Sequence, residues 1–278
     1  MVRILADTST LYSTTQAEQA GFHVSPLSVT IAGNSYREFD EISAEEFVAI
    51  IRQGHMPTSS QPAIGDVAAC FEQFPDDEII NISMADGLSG TYNSAVAAAN
   101  LCDHSAKITV VNTRTLCGPH RHLVEKANAL AKEGKSKEEI LNALNEIMGT
   151  HKSFLLPADF DYLRRGGRLS PLVSYVGKAA NLTPVLTQTE DGARLTIGAV
   201  RRGFAHGFKY VAEAMVKHGV GAGWKVYVVH ADASASAQKA LDTMKSYIPD
   251  AQYEVHPLSP AFITQGGPGC VAIQAIKI

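Results

Sequence analysis

Hydroxyl side chains are concentrated in the segment Ser83–Tyr92, which reads SMADGLSGTY and joins a strand pattern to a helix pattern. Ligands of parallel α/β proteins lie at the carboxyl ends of strands. A helix that begins there offers free N–H groups and a partial positive charge. With Ser89 and Thr91 as additional donors, the segment favours binding of an anion such as a carboxylate or phosphate. An ordinary N-cap role for Ser89 or Thr91 is an equally good interpretation.

A second hydroxyl-rich segment, Pro57–Pro62, reads PTSSQP and precedes a predicted helix over Ile64–Glu72. Its two prolines stiffen a stretch of backbone that carries several donors in a row. Taken alone, the segment is better explained as a capped loop. Two such helix starts in one half of the chain are more suggestive, and together Ser59, Ser60 and Ser89 could bind a carboxylate or phosphate without a lysine.

Arginine and glycine residues are clustered in a third segment, Asp161–Ser170, which reads DYLRRGGRLS. Glycine lets the backbone approach a ligand closely, and the guanidinium group of Arg168 could bind an acid group. The competing interpretation is a helix that ends at Gly166 and Gly167 and carries solvated arginines.

Two patterns suggest catalysis or metal binding, but each lacks a required residue. Residues 87–91 resemble the nucleophile elbow of hydrolases, except that the fifth position is Thr91 and not glycine. Ser89 as a nucleophile would also need a histidine base and an acid, and the three segments contain no histidine. Cys117, His120 and His122 lack a fourth ligand nearby. We therefore expect no metal and no cofactor.

Strand and helix patterns alternate along the first half of the chain and would position these segments. Short β-branched runs predict strands, and Ser43 with Glu46 forms a capping box that predicts a helix start. Alternation of this kind implies right-handed βαβ units and a parallel sheet. The predicted strands are Val2–Ala6, Glu78–Ser83 and Lys107–Val111, and the predicted helices begin at Ser43, near Gly90, at about Leu123 and at Ser136.

The second half of the chain mixes a hairpin with further strand and helix patterns. Glu190-Asp191-Gly192 is a hairpin turn signal between strand patterns over Thr183–Thr189 and Arg194–Val200. The other predicted elements are strands over Ser153–Leu156, Lys225–His230, Gln252–Val255 and Cys270–Ile278, and helices over Phe160–Arg165, Phe204–His218 and Ser234–Tyr247. We therefore expect two α/β domains: an N-terminal parallel sheet flanked by helices over residues 1–151, and a mixed α/β domain over residues 152–278.

The composition argues against several classes of protein. The 278 residues carry a formal net charge of -4 and 7% aromatic residues, whereas a nucleic-acid binder usually has a basic surface. No run approaches the roughly 18 uncharged apolar residues of a membrane span, and the N-terminus lacks a signal-peptide core. The four cysteines form no CxxC pair. We expect a cytoplasmic protein with reduced thiols.

Taken together, these segments resemble the motifs of the DegV family of bacterial fatty-acid-binding proteins. The family's Ser-x-x-x-Gly-Leu-Ser-Gly-Thr-Tyr is matched at Ser83 and Gly87–Tyr92, its Thr-Ser-Gln-Pro at Ser59–Pro62, its Tyr-Leu-x-x-Gly-Gly-Arg-Ile-Ser at Tyr162–Ser170, its Lys-Pro-Ile-Leu strand near Leu182–Leu186 and its glycine-rich end at Gly267–Gly269. The matches run in order along essentially the whole chain. Each motif is modest, but the ordered set is specific.

The resemblance implies a two-domain α/β protein that holds a long-chain fatty acid and is not an enzyme. The carboxyl group would lie near the Gly87–Thr91 turn and the Ser59–Pro62 loop, and the acyl chain in an apolar tunnel of the C-terminal domain. Some relatives present the bound acid to a separate kinase, which forms acyl-phosphate for phospholipid synthesis. The residues expected to bind the fatty acid are Ser59, Ser60, Ser89, Gly90, Thr91, Arg168, Gln265 and Gly266.

Three positions depart from the family pattern. The family's His-Thr-Gly-Pro-Gly is Gln265–Gly269 in this chain, so Gln265 replaces a histidine that usually contacts the carboxyl group. Ser59 replaces a threonine and keeps the hydroxyl, and Asn112 replaces an aspartate. The change at Gln265 leaves the details of head-group binding open.

Arg201 and Arg202 follow the predicted hairpin and resemble the family's Arg-x-x-Lys stretch, so we expect them to contact the partner kinase. Adjacent strand residues point to opposite faces, and at most one of the two can face a tunnel. Solvated charges at a helix start are an equally good interpretation, although cations are mildly unfavourable there. Two other functions stay open, a Ser89-dependent esterase-like hydrolase and a regulatory protein plugged by a lipid.

Overall fold

The computed structural model describes residues 1–170 and 182–278. Its strands are β1 (Val2–Asp7), β2 (His23–Ser25), β3 (Ser28–Ile31), β4 (Asn34–Arg37), β5 (Thr58–Ser60), β6 (Glu78–Ser83), β7 (Ile108–Asn112), β8 (Lys152–Leu156), β9 (Leu182–Gln188), β10 (Leu195–Arg202), β11 (Trp224–His230), β12 (Gln252–Pro257) and β13 (Val271–Lys277). Its helices are α1 (Thr14–Ala20), α2 (Ala44–Arg52), α3 (Ile64–Phe71), α4 (Thr91–Ala99), α5 (Cys117–Lys132), α6 (Lys137–Ile147), α7 (Phe160–Gly166), α8 (Gly203–Lys217), α9 (Ser234–Tyr247) and α10 (Pro260–Gly266). Within these two ranges, no helix is both long and apolar enough to cross a membrane.

Four parallel strands form the first sheet in the order β2-β1-β6-β7. Ile4 of β1 pairs with Ile80 of β6, which pairs in turn with Thr109 of β7. β6 is buried along almost its whole length, as expected for a parallel strand covered by helices on both faces. The prediction of an N-terminal parallel sheet flanked by helices is confirmed, and all carboxyl ends of its strands meet at one edge.

The helix starts show where local sequence decides structure and where it misleads. Ser43 and Glu46 form the expected capping box of α2, and Ser136 caps α6 in the same way. The predicted start of α5 at Leu123 is wrong, because the helix begins at Cys117. Pro119 lies in the first turn of α5, where a missing N–H has no helical partner to lose.

The second sheet contains six strands in the order β10-β9-β8-β13-β11-β12. The predicted hairpin is confirmed, since β9 and β10 pair antiparallel with a register shift between Ile197 and Ala199. β11 and β12 are parallel, whereas β13 is antiparallel to both of its neighbours. This arrangement is the mixed sheet expected for the second half of the chain.

A small third sheet was not predicted from the sequence. Its strands lie in the order β4-β3-β5, and Ser59 of β5 pairs with Val29 of β3. The interpretation of Pro57–Pro62 as a loop or helix start is therefore wrong: residues 58–60 form an antiparallel strand. Strands of three or four residues are too short for an alternating pattern to identify.

The two halves of the chain share one hydrophobic core. The largest buried cluster combines Ile4 and Ile82 of the first sheet with Tyr227 and Val229 of the second. α5 packs against both sheets, and a Cβ atom at Gly118 would lie 2.2 Å from the Tyr227 ring. A division of the chain into domains at residues 151 and 152 stays a prediction.

Candidate functional site

A cavity of about 400 Å³ lies between the two large sheets. Its volume falls within the range of about 300–1,000 Å³ that is usual for small-molecule sites. The carboxyl-end loops of the first sheet form one wall, and β8, β9 and β13 of the second sheet form another. The apolar side chains that line the cavity include Leu27, Met84, Leu88, Leu116, Leu155, Leu163, Leu186, Leu195, Leu258, Ala261 and Phe262.

Hydroxyl and amide groups from three elements meet at one part of this cavity, and we call them the polar end. They come from β5, from the turn before α4 and from α10. The polar end consists of Ser59, Ser60, Gln61, Ser89, Gly90 and Gln265. Of the eight residues expected from the sequence to bind a ligand, seven line the cavity, since Arg168 and Gly266 belong to it as well. Thr91 does not line it.

Ser89 and Thr91 are bonded to each other at the start of α4. Their hydroxyl oxygens are 2.8 Å apart, and the Thr91 N–H donates to Ser89 Oγ over 3.3 Å. Gly90 occupies the N-cap position and no side chain caps the helix, so the N-cap interpretation of Ser89 and Thr91 is wrong. Thr91 is buried. Its hydroxyl group can orient the hydroxyl group of Ser89 without lining the cavity itself.

Ser59 reaches the cavity from β5 and not from a helix start. α3 begins four residues later, at Ile64, with Ala63 as an N-cap that makes no side-chain hydrogen bond. Gln265 Nε2 donates to Ser59 Oγ over 3.0 Å. The hydroxyl oxygen of Ser59 is thus held from one side, and its hydrogen can be directed toward the cavity.

Gln61 belongs to the Ser59–Pro62 motif, but the sequence did not predict that its side chain helps to build the site. Its Nε2 donates to Ser94 Oγ over 2.6 Å, which ties the β5 segment to α4. A Cβ atom at Gly90 would lie only 1.8 Å from Gln61 Oε1. This close approach explains why glycine occupies position 90, and it fixes the distance between the two hydroxyl-rich segments.

Arg168 holds the turn that carries Ser89. Its Nε donates to the Leu88 carbonyl oxygen over 3.1 Å, and its Nη1 donates to the Gly166 carbonyl oxygen. The helix end predicted at Gly166 and Gly167 is also present, because α7 ends at Gly166 and Gly167 adopts φ 70°. Arg168 is the charged residue among the described residues that line the cavity. Direct contact between its guanidinium group and an acid stays a prediction.

Two cysteines line the cavity without the properties of nucleophiles. Cys117 and Cys270 are fully buried. Burial raises the pKa of the Cys270 thiol to about 12 and that of Cys117 well above its usual value. Both therefore stay protonated and contribute apolar surface.

The residues needed for a serine hydrolase are not assembled around Ser89. No histidine lines the cavity in the part of the chain that the structure describes. His120, which is fully buried, lies 2.6 Å from Ser9 Oγ through Nδ1 and 2.9 Å from the Ile82 carbonyl oxygen through Nε2. Burial lowers the pKa of His122 to about 4. Within residues 1–170 and 182–278, no group of three or more histidine, cysteine or acidic residues is placed to hold a metal ion.

Arg201 and Arg202 lie away from the cavity at the end of β10. The Arg201 guanidinium group lies 4.4 Å above the Tyr210 ring, and its Nη1 donates to the Val200 carbonyl oxygen over 2.9 Å. Arg202 is exposed. Neither residue faces the cavity, whereas the sequence argument allowed one of them to do so. Binding of a partner by these arginines stays a prediction.

The fold and the cavity define a class of protein, an α/β protein with one parallel and one mixed sheet that enclose a largely apolar site with a polar end. The chain belongs to the DegV family. The family model described as "Uncharacterised protein, DegV family" matches residues 1–277. The resemblance inferred from the motifs is thereby confirmed.

Relatives of known sequence match along most of the chain. A DegV domain-containing protein of Staphylococcus aureus is 28% identical over 278 residues, which cover 99% of this chain and 98% of the relative. A DegV domain-containing protein of Caldanaerobacter subterraneus is 35% identical over 215 residues, or 76% of each chain.

Solved structures confirm the α/β fold with a parallel sheet and a mixed sheet. A DegV family protein of Thermus thermophilus, described by its fatty acid binding, is 26% identical with a TM-score of 0.89, and the match covers 100% of this chain and 99% of that one. DegV of Bacillus subtilis, described as a fatty acid binding protein, is 25% identical with a TM-score of 0.87 and the same coverage.

Proposed function

We propose that this protein binds a long-chain fatty acid in the cavity, with the carboxyl group at the polar end. The observation that carries the proposal is the geometry of that end, where Ser59 and Ser89 hydroxyl groups and the Gln265 amide border an otherwise apolar cavity. The Thermus and Bacillus relatives, which share the fold, are described as fatty-acid-binding, and this supports the proposal.

The size and character of the cavity suit an acyl chain. Burial of apolar surface contributes roughly 0.8 kcal/mol per methylene, or about 12 kcal/mol in gross terms for a sixteen-carbon chain. Loss of translational and rotational freedom costs about 4–15 kcal/mol. Tight binding therefore requires a cavity that exists before the ligand arrives, and the leucine-rich walls provide one.

The binding residues come from both halves of the chain. Residues 1–151 supply Ser59, Ser89 and part of the apolar wall, and residues 152–278 supply Gln265 and the walls on β8, β9 and β13. We propose that the acyl tunnel lies between the predicted domains, and not within the C-terminal one alone. Opening of the halves relative to each other is then a route for ligand exchange.

Purification followed by lipid extraction tests the proposal directly. Mass spectrometry should find about one long-chain fatty acid per protein chain. Ala272→Phe, which places a ring inside the cavity, should lower that amount, whereas Ala251→Phe, outside the cavity, should not. A protein that retains no lipid and does not bind added palmitic acid would contradict the proposal.

We further propose that the protein is a cytoplasmic carrier that presents the fatty acid to a separate kinase. The exposed Arg202 and the ring-stacked Arg201 supply positive charge away from the cavity, which suits an acidic surface or a phosphate. Replacing both with alanine should leave the bound lipid in place and reduce acyl-phosphate formation by the kinase. The matched control is Lys217→Ala with Lys239→Ala, two exposed lysines. Loss of lipid, or unchanged phosphorylation, would rule out this role.

The two remaining candidate functions make different predictions. A hydrolase would turn over acyl esters and lose that activity in Ser89→Ala, whereas we expect no turnover above background. A regulatory protein plugged by lipid would keep its bound lipid when labelled fatty acid is added. A carrier should release the bound lipid and take up the labelled fatty acid.

A further inference from the structure

A second cavity adjoins the first one. It has a volume of about 930 Å³ and lies between the end of β7, the start of β8 and the turn of the β9–β10 hairpin. We call it the cleft, and charged, exposed residues such as Glu190 line it. Ser153, Phe154, Thr187 and Gln188 line both the apolar cavity and the cleft. The two spaces therefore meet along β8 and β9.

The pairing of β8 with β9 shows where the apolar cavity ends. Leu155 pairs with Leu186, and both residues line the apolar cavity but not the cleft. Two positions further along each strand, the same register places Ser153 across from Gln188, and these residues line both spaces. Lys152, one position beyond Ser153, lines the cleft alone. We call Ser153 and Gln188 the end row, since the apolar cavity does not extend past them along these strands.

The strand β13 gives the length of the apolar part. Cys270, Ala272 and Gln274 line the cavity, and Gln274 pairs with Ser153 of the end row. A Cβ atom at Gly266 would lie 2.6 Å from Cys270 Sγ, so Cys270 lies beside the polar end. From Cys270 to Gln274 the strand spans about 13 Å, which an extended acyl chain covers in about 11 bonds. With the carbons beside Gly266 added, the cavity suits an acid of about 14–16 carbons.

Gln274 closes the cavity at the end row on the side of α5. Its Oε1 accepts from the Gly118 N–H over 3.1 Å, and its Nε2 donates to the Leu116 carbonyl oxygen and to Ser153 Oγ, each over 3.1 Å. Every polar atom of this amide is used within the protein. The side chain is therefore a fixed wall.

Gln188 closes the end row on the side of the cleft. Its Nε2 donates to the carbonyl oxygens of Arg114 and Gly192 over 3.3 and 3.5 Å. Burial lowers the pKa of the His151 ring, and the hydrogen bond of this ring with Gln188 opposes that effect. Arg114, Gly192 and His151 all line the cleft and not the apolar cavity. The amide group is therefore held on the side of the cleft, and the CH₂ groups of Gln188 lie between it and the apolar cavity.

A fatty acid whose tail reaches the end row has no apolar space left beyond it. Up to that point, each further buried methylene can raise the affinity by up to about fourfold. Beyond it, additional carbons would overpack the cavity or displace Gln188. We propose that the side chain of Gln188 sets the longest acyl chain that the protein binds, by separating the apolar cavity from the cleft. This inference rests on the proposed fatty-acid binding and specifies its chain-length preference.

Lauric, palmitic and arachidic acid, with twelve, sixteen and twenty carbons, measure this limit. The delipidated wild type should bind palmitic acid more tightly than lauric acid, and arachidic acid no more tightly than palmitic acid. Gln188→Ala joins the cavity to the cleft and relieves the overpacking, so it should raise the affinity for arachidic acid relative to palmitic acid by about tenfold. The ratio of palmitic to lauric acid should stay as in wild type.

Two controls separate the bulk of Gln188 from its hydrogen bonds and from general changes in the cleft. Gln188→Met removes the hydrogen bonds but keeps a side chain of similar volume, and it should keep the wild-type ratio of arachidic to palmitic acid. His218→Ala changes an exposed residue that lines the cleft and not the cavity, and it should keep that ratio too. A shift as large in Gln188→Met as in Gln188→Ala would overturn the proposal, because the hydrogen bonds and not the bulk would then set the limit.

A second variant protects the test against a folding defect in Gln188→Ala. Ser153→Leu adds bulk to the same row from β8, and it should lower the affinity for palmitic acid relative to lauric acid by about tenfold. A folding defect would weaken binding of all three acids alike and leave both ratios unchanged. Unchanged ratios in both Gln188→Ala and Ser153→Leu would overturn the proposal. Failure of the wild type to bind any of the three acids would instead overturn fatty-acid binding itself.

Discussion

Gln265 Nε2 donates a hydrogen bond to Ser59 Oγ over 3.0 Å, although the two residues are 206 positions apart in the chain. The bond joins α10 to β5 and orients the Ser59 hydroxyl at the polar end of the cavity. A glutamine is always neutral, so this contact does not depend on pH, whereas a histidine at this position would titrate near neutral pH. Any pH dependence of palmitic acid binding between about pH 6 and pH 8 should therefore be the same in Gln265→Ala as in wild type.

A double-mutant cycle measures whether Gln265 acts through Ser59. Ser59→Ala and Gln265→Ala should each weaken binding of palmitic acid. Together they should weaken it by less than the sum, with a coupling of about 0.5–1.5 kcal/mol. Titration of the delipidated variants gives the four affinities. Thr58→Ala, an exposed neighbour on β5, is the control and should bind normally. Strictly additive effects would mean that the bond plays no part in binding.

Removal of the Ser89 hydroxyl should weaken fatty-acid binding by about 1.5–3 kcal/mol, the range for a hydrogen bond to a charged group. Thr91→Val keeps the shape of the threonine side chain but removes the hydroxyl group that is bonded to Ser89 Oγ. This variant should cost less, because Ser89 remains and loses only its fixed orientation. Equilibrium titration of both variants checks the order. Unchanged affinity in Ser89→Ala would sink the assignment of this residue.

Local signals predicted most of the large elements correctly. Strands β1, β6 and β7 of the first sheet are short β-branched runs and were predicted, whereas β2, with three residues, was not. The hairpin of β9 and β10 carries an unambiguous turn at Gly192. The third sheet was missed because β5 has only three residues, whose partners on β3 lie about 30 positions earlier. Hydrogen bonding to the distant strand β3 determines the conformation of β5, and a local sequence pattern cannot indicate such a partner.

The candidate site was predictable only where a motif marks it. Ser59, Ser89 and Gln265 were identified because they lie in recognisable segments. Gln188 and Gln274 lie in ordinary strand sequence, and they reach the cavity through a register across β9, β8 and β13. Register depends on the pairing of the whole sheet, so the position of Gln188 and Gln274 at the cavity could be found only in the structure.

Glu38 should make stability depend on pH in an unusual direction. It is fully buried, and burial raises its pKa to about 7, although bonds from Thr8 Oγ1 and the Ala261 N–H oppose the rise and the charge of Asp7 adds to it. The unfolded side chain has a pKa of about 4.3. Between these values the folded state holds a proton that the unfolded state has lost. The contribution of Glu38 is therefore complete below about pH 4 and declines as pH rises to about 7.

Unfolding by urea at about pH 5 and about pH 8 tests this dependence. The loss of stability on going to the higher pH should be smaller in Glu38→Gln than in wild type, by up to about 3 kcal/mol. Other titrating groups, such as His122, are common to both proteins and cancel in the comparison. Parallel stability curves for the two proteins would show that Glu38 keeps an ordinary pKa.

Gly90→Ala should damage the polar end through a steric effect. The backbone at position 90, with φ -71° and ψ 2°, is accessible to alanine, so no backbone strain is introduced. The new Cβ atom would lie 1.8 Å from Gln61 Oε1, and Gln61 must move away from Ser94. We expect palmitic acid to bind about tenfold more weakly, comparable to the loss of one hydrogen bond.

Two further variants isolate the cause of that loss. Gly65→Ala adds the same methyl group where no atom lies within 4 Å, and it should leave binding intact and slightly stabilise α3. In the Gln61→Ala background the clash disappears, so adding Gly90→Ala should have little further effect on affinity. If Gly90→Ala weakened binding equally in both backgrounds, the contact with Gln61 would not be the reason, and the methyl group itself would be obstructing the ligand.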